Sequence, residues 1–265
     1  MAATVLDQSV KIFSVHDAAV VLVGAAIGVL IGLFGVGGSS VATPALSLVG
    51  VRALAAVASP LPATIPGALL AVRPYLRSGE ARPKAAAWSL LGAVPATVLG
   101  GLASKAIGGD GLLVLSGTML VVVGVRVIMP ITDAAREAGT ARRQNRPLLV
   151  AATAGVGFMT GMLANGGGFL LMPLYLLVFG LRMRQAVGTS LLVVATLSVP
   201  TLITHTALGH VDWHVAALFA AGVIPTSVIG GHYSKGLGTG VQRRIFGAFL
   251  IVFGIAFTAY RLLAF

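Results

Sequence analysis

Long apolar stretches, separated by short polar connectors, run through the whole chain. Five lie in the first half, at about 18–34, 40–51, 55–72, 85–103 and 112–128, and five in the second half, at about 148–164, 167–181, 186–207, 214–233 and 245–263. Most of the last three in each half approach the ~20 residues that a helix needs to cross a bilayer core. The pattern predicts an all-α, polytopic integral membrane protein.

The second half of the sequence repeats the first. Val-Pro-Ala-Thr-Val-Leu-Gly-Gly around Pro95 matches Ile-Pro-Thr-Ser-Val-Ile-Gly-Gly around Pro225, an offset of 130 residues. The same offset relates three glycine pairs, Gly79 and Gly209, Gly117 and Gly247, and Gly124 and Gly254. Because each half has an odd number of apolar segments, the halves should face opposite sides of the membrane. The sequence therefore predicts two inverted repeats, 1–130 and 148–265, joined by a polar connector at 131–147.

Composition and charge agree with a membrane protein. The chain is 57% hydrophobic and 9% charged, and its net charge is +11. The predicted topology places 14 of the 18 lysines and arginines on one side, which the positive-inside rule makes cytoplasmic. We therefore expect a multi-pass protein of the cell (inner) membrane with both termini outside. The basic residues lie in connectors, so nucleic acid is not an expected partner. The absence of cysteine excludes disulfides and thiol chemistry.

A glycine-rich motif occurs twice, once near the start of each half. Each copy leads into a proline seven positions after the first glycine of the closing run, Pro44 in the first copy and Pro173 in the second. We expect broken or re-entrant helices there, because non-helical backbone is tolerated in a membrane where it lines a cavity. The unpaired N–H groups of a restarting helix favour an anion. The predicted substrate-binding residues are Gly37, Gly38, Ser39, Ser40, Asn165, Gly166, Gly167 and Gly168. Close helix–helix packing through small residues is the alternative.

Hydroxyl side chains follow each motif. Ser59 in the first half and Thr189 and Ser190 in the second lie near the start of the next apolar segment. They are predicted to bind an oxyanion beside the glycines, and interhelical hydrogen bonding is the alternative.

Ionisable residues narrow the substrate. The acidic residues lie in predicted termini or connectors, which favours an anionic or neutral substrate over a cation. His205 lies well inside an apolar segment. It is predicted either to contact a proton or the substrate, or to be a neutral side chain that is hydrogen-bonded to a neighbouring helix. The spacing of His210, Asp212 and His214 would permit them to bind a metal ion, but the sequence of this stretch indicates a short turn followed by the start of a helix. We expect no metal site, no cofactor and no enzymatic activity, because no hydrolase or protease motif occurs.

The motifs resemble those of the TauE/SafE family of sulfite exporter-like membrane proteins. The resemblance rests on Gly-Leu-Phe-Gly-Val-Gly-Gly at 32–38, Pro44, the glycines at 166–168, Pro173 and Ala-Val-Gly-Thr-Ser at 186–190. The chain departs from the family pattern at Ser39, where a third glycine is common, and at Ser59-Pro60, where a Thr-Ser pair is common. The resemblance implies transport of small sulfur-containing anions such as sulfite, thiosulfate or sulfonates.

The sequence thus predicts a secondary transporter of a small sulfur-containing anion that works by alternating access, in the export direction. A carrier of a carboxylate or a metal cation, and a passive anion channel, are the alternatives. Besides the anion and the lipid bilayer, the expected partners are a coupling proton or sodium ion and further copies of the chain in a homo-oligomer.

Overall fold

The computed structural model describes residues 15–34, 39–129, 145–164, 167–233 and 238–263, and these are helical apart from short turns and connections. In chain order the elements are α1 Val15–Phe34, α2 Ser39–Leu48, α3 Ala53–Ala58, α4 Leu61–Arg77, α5 Pro83–Ile128, α6 Arg146–Leu163, α7 Gly168–Pro173 with a π-helical continuation Leu174–Val178, α8 Met183–Ala207, α9 Trp213–Tyr233 and α10 Thr239–Leu263.

Six helical stretches of the described chain are long and apolar enough to cross a bilayer. They are His16–Leu33, Ala53–Arg77, Pro83–Ile128, Arg146–Leu163, Met183–Ala207 and Trp213–Gly230. Large apolar side chains also cover the outer surface, including Leu22, Ile203 and Val252, each more than 60% exposed. Such a surface requires lipid as its solvent. The prediction of an all-α, polytopic membrane protein is confirmed.

Two predicted segment boundaries differ from the structure. The segments at 85–103 and 112–128 belong to one 46-residue element, α5, which is interrupted only at Gly108. Gly108 has φ 74° and ψ 169°, a conformation that only glycine adopts readily, so the chain changes direction there without a longer connector. Conversely, the segment predicted at 55–72 contains the junction of α3 and α4, where Pro60 has no N–H to donate. Ser59 and Pro60 keep right-handed helical dihedrals, so Ala53–Arg77 remains one helical stretch.

The most extensive helix contacts are α1 with α9 and α5 with α6. In both pairs glycines allow backbones to touch. A Cβ added at Gly92 of α5 would overlap the Val150 carbonyl of α6, and one added at Gly222 of α9 would overlap the Val21 carbonyl of α1. These contacts are equivalent in the sequence repeat, since Gly92 matches Gly222 at an offset of 130 and Val21 matches Val150 at 129, the offset that relates the two glycine motifs. The same packing geometry is therefore built twice from the two halves of the sequence.

The centre of the fold is formed by α4 and α8, which pack on each other, while α8 also packs on α5 and α4 on α9. The short helix α7 contacts α8, α5 and α6. Tyr175, in the π-helical continuation of α7, donates a hydrogen bond to Ser89 of α5, and both side chains are buried. The second glycine motif is thus held in the protein interior.

Candidate substrate site

The second glycine motif breaks the helical chain between α6 and α7. Ala164 ends α6 with φ 49°, and Gly167 precedes α7 with φ 77°, both in the left-handed region. Ala164 is the one residue other than glycine with positive φ in the described chain, and such strain concentrates at functional sites. Pro173 ends α7 where the helix continues as a π-helical turn.

Part of the predicted site lies outside the described residues, namely Gly37, Gly38, Asn165 and Gly166. Ser39 and Ser40 begin α2, and Pro44 lies within that helix. Pro44 is therefore not at a helix end, since α2 continues past it to Leu48. The geometry of the site is accordingly built on the second copy of the motif.

Gly167 packs against Thr160 on the last turns of α6. A Cβ added at Gly167 would lie 2.5 Å from Thr160 Oγ1, so even a methyl group has no space. The Thr160 side chain is fully buried, and its hydroxyl has no hydrogen-bond partner in the described chain. A buried hydroxyl without a partner costs roughly 1–3 kcal/mol. A hydrogen-bonding group of a ligand that reaches the Thr160 hydroxyl would recover that energy.

The hydroxyl residues predicted beside the motif make different contacts. Ser190 Oγ donates to the Gly168 carbonyl oxygen at 3.2 Å, so α8 directly contacts the start of α7. Thr189 Oγ1 accepts from the Arg82 N–H, and Ser59 Oγ accepts from the Asp212 N–H, each at 3.0 Å. These last two bonds are equivalent under the 130-residue offset, and they hold the connections that precede α5 and α9. Of the three hydroxyls, Ser190 is the one bonded to the glycine motif.

A stripe of buried polar side chains runs along α8 from the motif. Its members are Ser190, Ser198, Thr201 and His205, all fully buried. Their spacing of eight, three and four residues places them on one helix face. Ser198 Oγ has no hydrogen-bond partner in the described chain, whereas Thr201 lies 3.5 Å from Thr97 of α5.

The stripe belongs to the second half alone. The positions of α4 that match Ser198 and Thr201 under the 130-residue offset are Ala68 and Ala71. Sequence reasoning missed Thr160, Thr97, Ser198 and Thr201, because Ser and Thr are common in membrane helices. The signal that could have identified the residues of α8 was the helical spacing of its polar side chains, since the matching positions of α4 are apolar.

His205, at the far end of the stripe, has two nitrogen contacts. Its Nε2 lies 2.7 Å from the Gly161 carbonyl oxygen of α6, and its Nδ1 lies 3.1 Å from His210 Nδ1. Gly101 of α5 allows close approach of α8 beside this ring, since a Cβ there would lie 2.7 Å from Thr204 Cγ2. His205 is thus bonded to a neighbouring helix, and it also belongs to a histidine pair.

Charged groups near the helix ends have separate partners. Asp212 caps α9 by accepting from the His214 and Val215 N–H groups, and the His214 ring contacts Asp17 at 3.1 Å. In the described residues no cluster of three metal-ligating side chains forms. Asp17 lies in the first turn of α1 and is buried, and Asp110 lies in α5 beside the Gly108 break, so neither is in the middle of an apolar segment.

An ion pair joins Glu80, after α4, to Arg184 at the start of α8. The hydrogen bond from Arg184 lowers the pKa of Glu80. The ionised pair should therefore stabilise the fold at pH values above the usual glutamate pKa and lose that effect as the pH falls through the lowered folded-state pKa. We expect Glu80→Gln to lower the melting temperature in detergent at neutral pH and to match the parent protein at strongly acidic pH. An equal deficit at both pH values would show that the ion pair is not the cause.

Taken together, the fold and the site define a multi-pass membrane protein with a broken-helix site in its interior. The chain matches, over residues 20–257, the family model described as Sulfite exporter TauE/SafE. The protein belongs to this family of membrane transporters.

Relatives carry matching descriptions. A probable membrane transporter protein, YjnA of Bacillus subtilis (strain 168), is 27% identical over 255 residues, which cover 89% of this chain and 97% of the relative. A probable membrane transporter protein of Xylella fastidiosa (strain 9a5c) is 30% identical over 225 residues, covering 82% and 81%. YunE of Bacillus subtilis (strain 168), also named a probable membrane transporter protein, is 24% identical over 248 residues, covering 85% and 88%. No solved structure gives a significant match.

Proposed function

We propose that the protein is a secondary transporter of a small sulfur-containing anion, such as sulfite, thiosulfate or a sulfonate like sulfoacetate. It moves the anion across the cell (inner) membrane by alternating access, in the export direction that the family description suggests. The substrate binds at the glycine motifs, where α6 ends and α7 begins.

The observation that carries this proposal is the unpartnered hydroxyl of Thr160 facing Gly167. The site offers hydroxyl groups and glycine backbone, and Ser190 brings α8 against it. An oxyanion accepts hydrogen bonds, so it suits donors of this kind, whereas a cation requires carboxylates or a carbonyl cage. The acidic residues of the described chain lie at helix ends, near the Gly108 break or in connections. The chemistry therefore favours an anion over a metal cation.

The transport mechanism follows from an inverted repeat, which we propose for 1–130 and 148–265. The duplicated glycine contacts of the α1–α9 and α5–α6 pairs support it. So does the concentration of basic residues on one side of the predicted topology, which places both termini outside. In such an architecture the substrate lies between the repeats, and rocking of one against the other exposes it to alternate sides.

Ligand-dependent thermal stability tests the substrate class. A ligand that binds only the folded state raises its stability. The purified protein in detergent should melt at a higher temperature with sulfite, thiosulfate or sulfoacetate, and should not respond to acetate or divalent metals. Stabilisation by a metal or by acetate alone would overturn the proposed substrate.

The Thr160 hydroxyl gives a sharper test of the binding site. Thr160→Val removes an unpartnered buried hydroxyl while keeping the side-chain volume, so the ligand-free protein should be as stable as the parent or slightly more stable. Anion binding should weaken about tenfold, since a hydrogen bond to a charged group is worth roughly 1.5–3 kcal/mol. Calorimetric binding curves measure the affinity.

The matched control is Thr196→Val, the same substitution at another helical threonine. Thr196 is exposed on α8, and its hydroxyl is bonded to the Leu192 carbonyl of the same helix. This change should leave anion affinity unaltered. Equal affinity in the parent and Thr160→Val would remove Thr160 from the site.

A further inference from the structure

The His205–His210 pair lies where three parts of the chain meet. His205 is on the last turns of α8, His210 is in the connection to α9, and Gly161 near the end of α6 supplies the carbonyl. Both rings are buried, with centroids 5.2 Å apart. Gly161 also precedes the second glycine motif, so the pair is linked to the proposed substrate site through α6 as well as through the polar stripe of α8.

The geometry fixes the tautomers of both rings. A carbonyl oxygen only accepts hydrogen bonds, so His205 Nε2, 2.7 Å from the Gly161 oxygen, carries a hydrogen. Neutral His205 then has its lone pair at Nδ1, and His210 Nδ1, 3.1 Å away, must donate to it. The remaining acceptor of the pair is the Nε2 lone pair of His210. The neutral pair thus has one lone pair that is available to accept a proton.

A single added proton fits this arrangement, and a second does not. When a proton from water adds to His210 Nε2, the Nδ1–H···Nδ1 bond is retained and becomes charge-assisted. When the Nδ1 proton of His210 then shifts to His205 Nδ1, the positive charge moves to His205. The two rings therefore share the charge, and no hydrogen bond breaks. A second proton would place hydrogens on both Nδ1 atoms and break the bond between the rings. The pair is therefore a one-proton site.

The surroundings keep the resting pair uncharged. Burial and the positive charge of Lys105 on α5 lower the pKa of His210. The stretch of α6 facing the pair, 157–164, contains no titratable residue, and the pair is the only titratable group in 197–210. In the connection that follows, Asp212 caps α9 and His214 contacts Asp17. A negative charge that enters the stripe would thus supply the main electrostatic attraction that favours a proton on the pair.

We propose that His205 and His210 together bind one proton when the anionic substrate occupies the site, so that proton and anion binding are linked. This proposal rests on the proposed transport function. Linkage is reciprocal: if the anion strengthens proton binding, the proton strengthens anion binding by the same factor. The half of the fold related by the offset has Tyr75 and Glu80 at these positions, with Glu80 already paired to Arg184. The histidine pair therefore has no counterpart at the matching positions of the first half of the sequence.

Proton uptake on anion binding tests the proposal. Thiosulfate is the probe, because it stays fully ionised near neutral pH and cannot itself supply the signal. In weakly buffered detergent solution, the parent protein should take up one proton for each thiosulfate bound, measured with a pH electrode beside calorimetric binding. Thiosulfate binding without proton uptake by the parent protein would overturn the linkage.

The test variant is His210→Gln, which removes the Nε2 acceptor while its amide can still donate to His205 Nδ1. It should lose proton uptake and bind thiosulfate roughly tenfold more weakly, within the usual range of coupling between sites, and without the pH dependence of the parent. The control His214→Gln removes an exposed histidine two residues beyond Asp212 and should retain proton uptake. Undiminished uptake by His210→Gln would overturn the proposal. His210→Asn, which also has an amide and no proton acceptor, replaces it if His210→Gln does not fold.

A second measurement separates this proposal from the proposed function. If no sulfur anion binds, the proposed function fails, and the pair is judged by nitrogen NMR of histidine-labelled protein. The spectra should show His205 protonated at Nε2 and His210 at Nδ1, with the two rings sharing one proton during acidification. Independent titration of the two rings, or the opposite tautomers, would overturn the one-proton site.

Discussion

Replacing Gly167 by leucine is expected to abolish anion binding and transport while leaving a folded protein. The substituted side chain would begin 2.5 Å from Thr160 Oγ1, and the φ of 77° is strained for any residue other than glycine. The leucine side chain therefore displaces the Thr160 hydroxyl that we assign to substrate binding. We expect a loss of at least about 100-fold in affinity, comparable to the loss of one or two hydrogen bonds to a charged group at roughly 1.5–3 kcal/mol each.

The matched control is Gly79→Leu. Gly79 also has a positive φ, 68°, but nothing lies within 4 Å of a Cβ added there. It therefore reproduces the backbone strain, of about 1–2 kcal/mol, without the clash. Size-exclusion profiles report folding, and proteoliposome uptake reports transport. Normal transport by Gly167→Leu would refute the site, whereas equal losses in both variants would attribute the effect to backbone strain.

Alanine at either of two matching glycines should strongly destabilise the helix packing. A Cβ at Gly100 would overlap the Phe158 carbonyl of α6, and one at Gly230 would overlap the Val29 carbonyl of α1. Overpacking of this kind typically costs about 1–3 kcal/mol, and contact with backbone rather than a movable side chain puts these sites at the upper end. Gly100 matches Gly230 at an offset of 130, and Val29 matches Phe158 at 129, so the two contacts are equivalent in the sequence repeat. Gly100→Ala and Gly230→Ala should therefore lower the melting temperature by similar amounts.

Gly155→Ala on α6 is the control. No atom lies within 4 Å of a Cβ added there, so the change should be neutral or stabilise the helix by up to about 1 kcal/mol. Thermal melting in detergent compares the three variants. A large effect at Gly100 with none at Gly230 would contradict the equivalence of the two helix pairs and weaken the case for a repeated architecture.

The helices could be predicted from the sequence because each is a long apolar run with polar ends. The predicted stretch at 186–207 lies inside α8, and that at 214–233 nearly coincides with α9. The repeat was visible because glycines and prolines mark close packing and helix breaks, which leave a residue-level trace. Gly108 was the exception: a single glycine turns the chain there where a polar connector was expected.

The site was only partly predictable. The glycine motif identified the position of the break, and Ser190 makes an interhelical hydrogen bond to it, which was the alternative to direct substrate binding. The roles of Thr160, Ser198 and the histidine pair depend on which helix faces are adjacent, and that is decided by tertiary packing. Thr189 and Ser59 show the converse, because their hydroxyls look like ligands in sequence yet accept backbone N–H groups that fix the following connections.

Counterflow in proteoliposomes tests the central claim most directly. Vesicles loaded with unlabelled sulfite or thiosulfate should accumulate the labelled anion transiently, with saturation at high concentration, and vesicles carrying Gly167→Leu should not. That result would establish an anion carrier whose site lies at the glycine motif. Anion flux that neither saturates nor shows counterflow would indicate a channel, and counterflow of a carboxylate or metal without sulfur anions would contradict the proposed substrate.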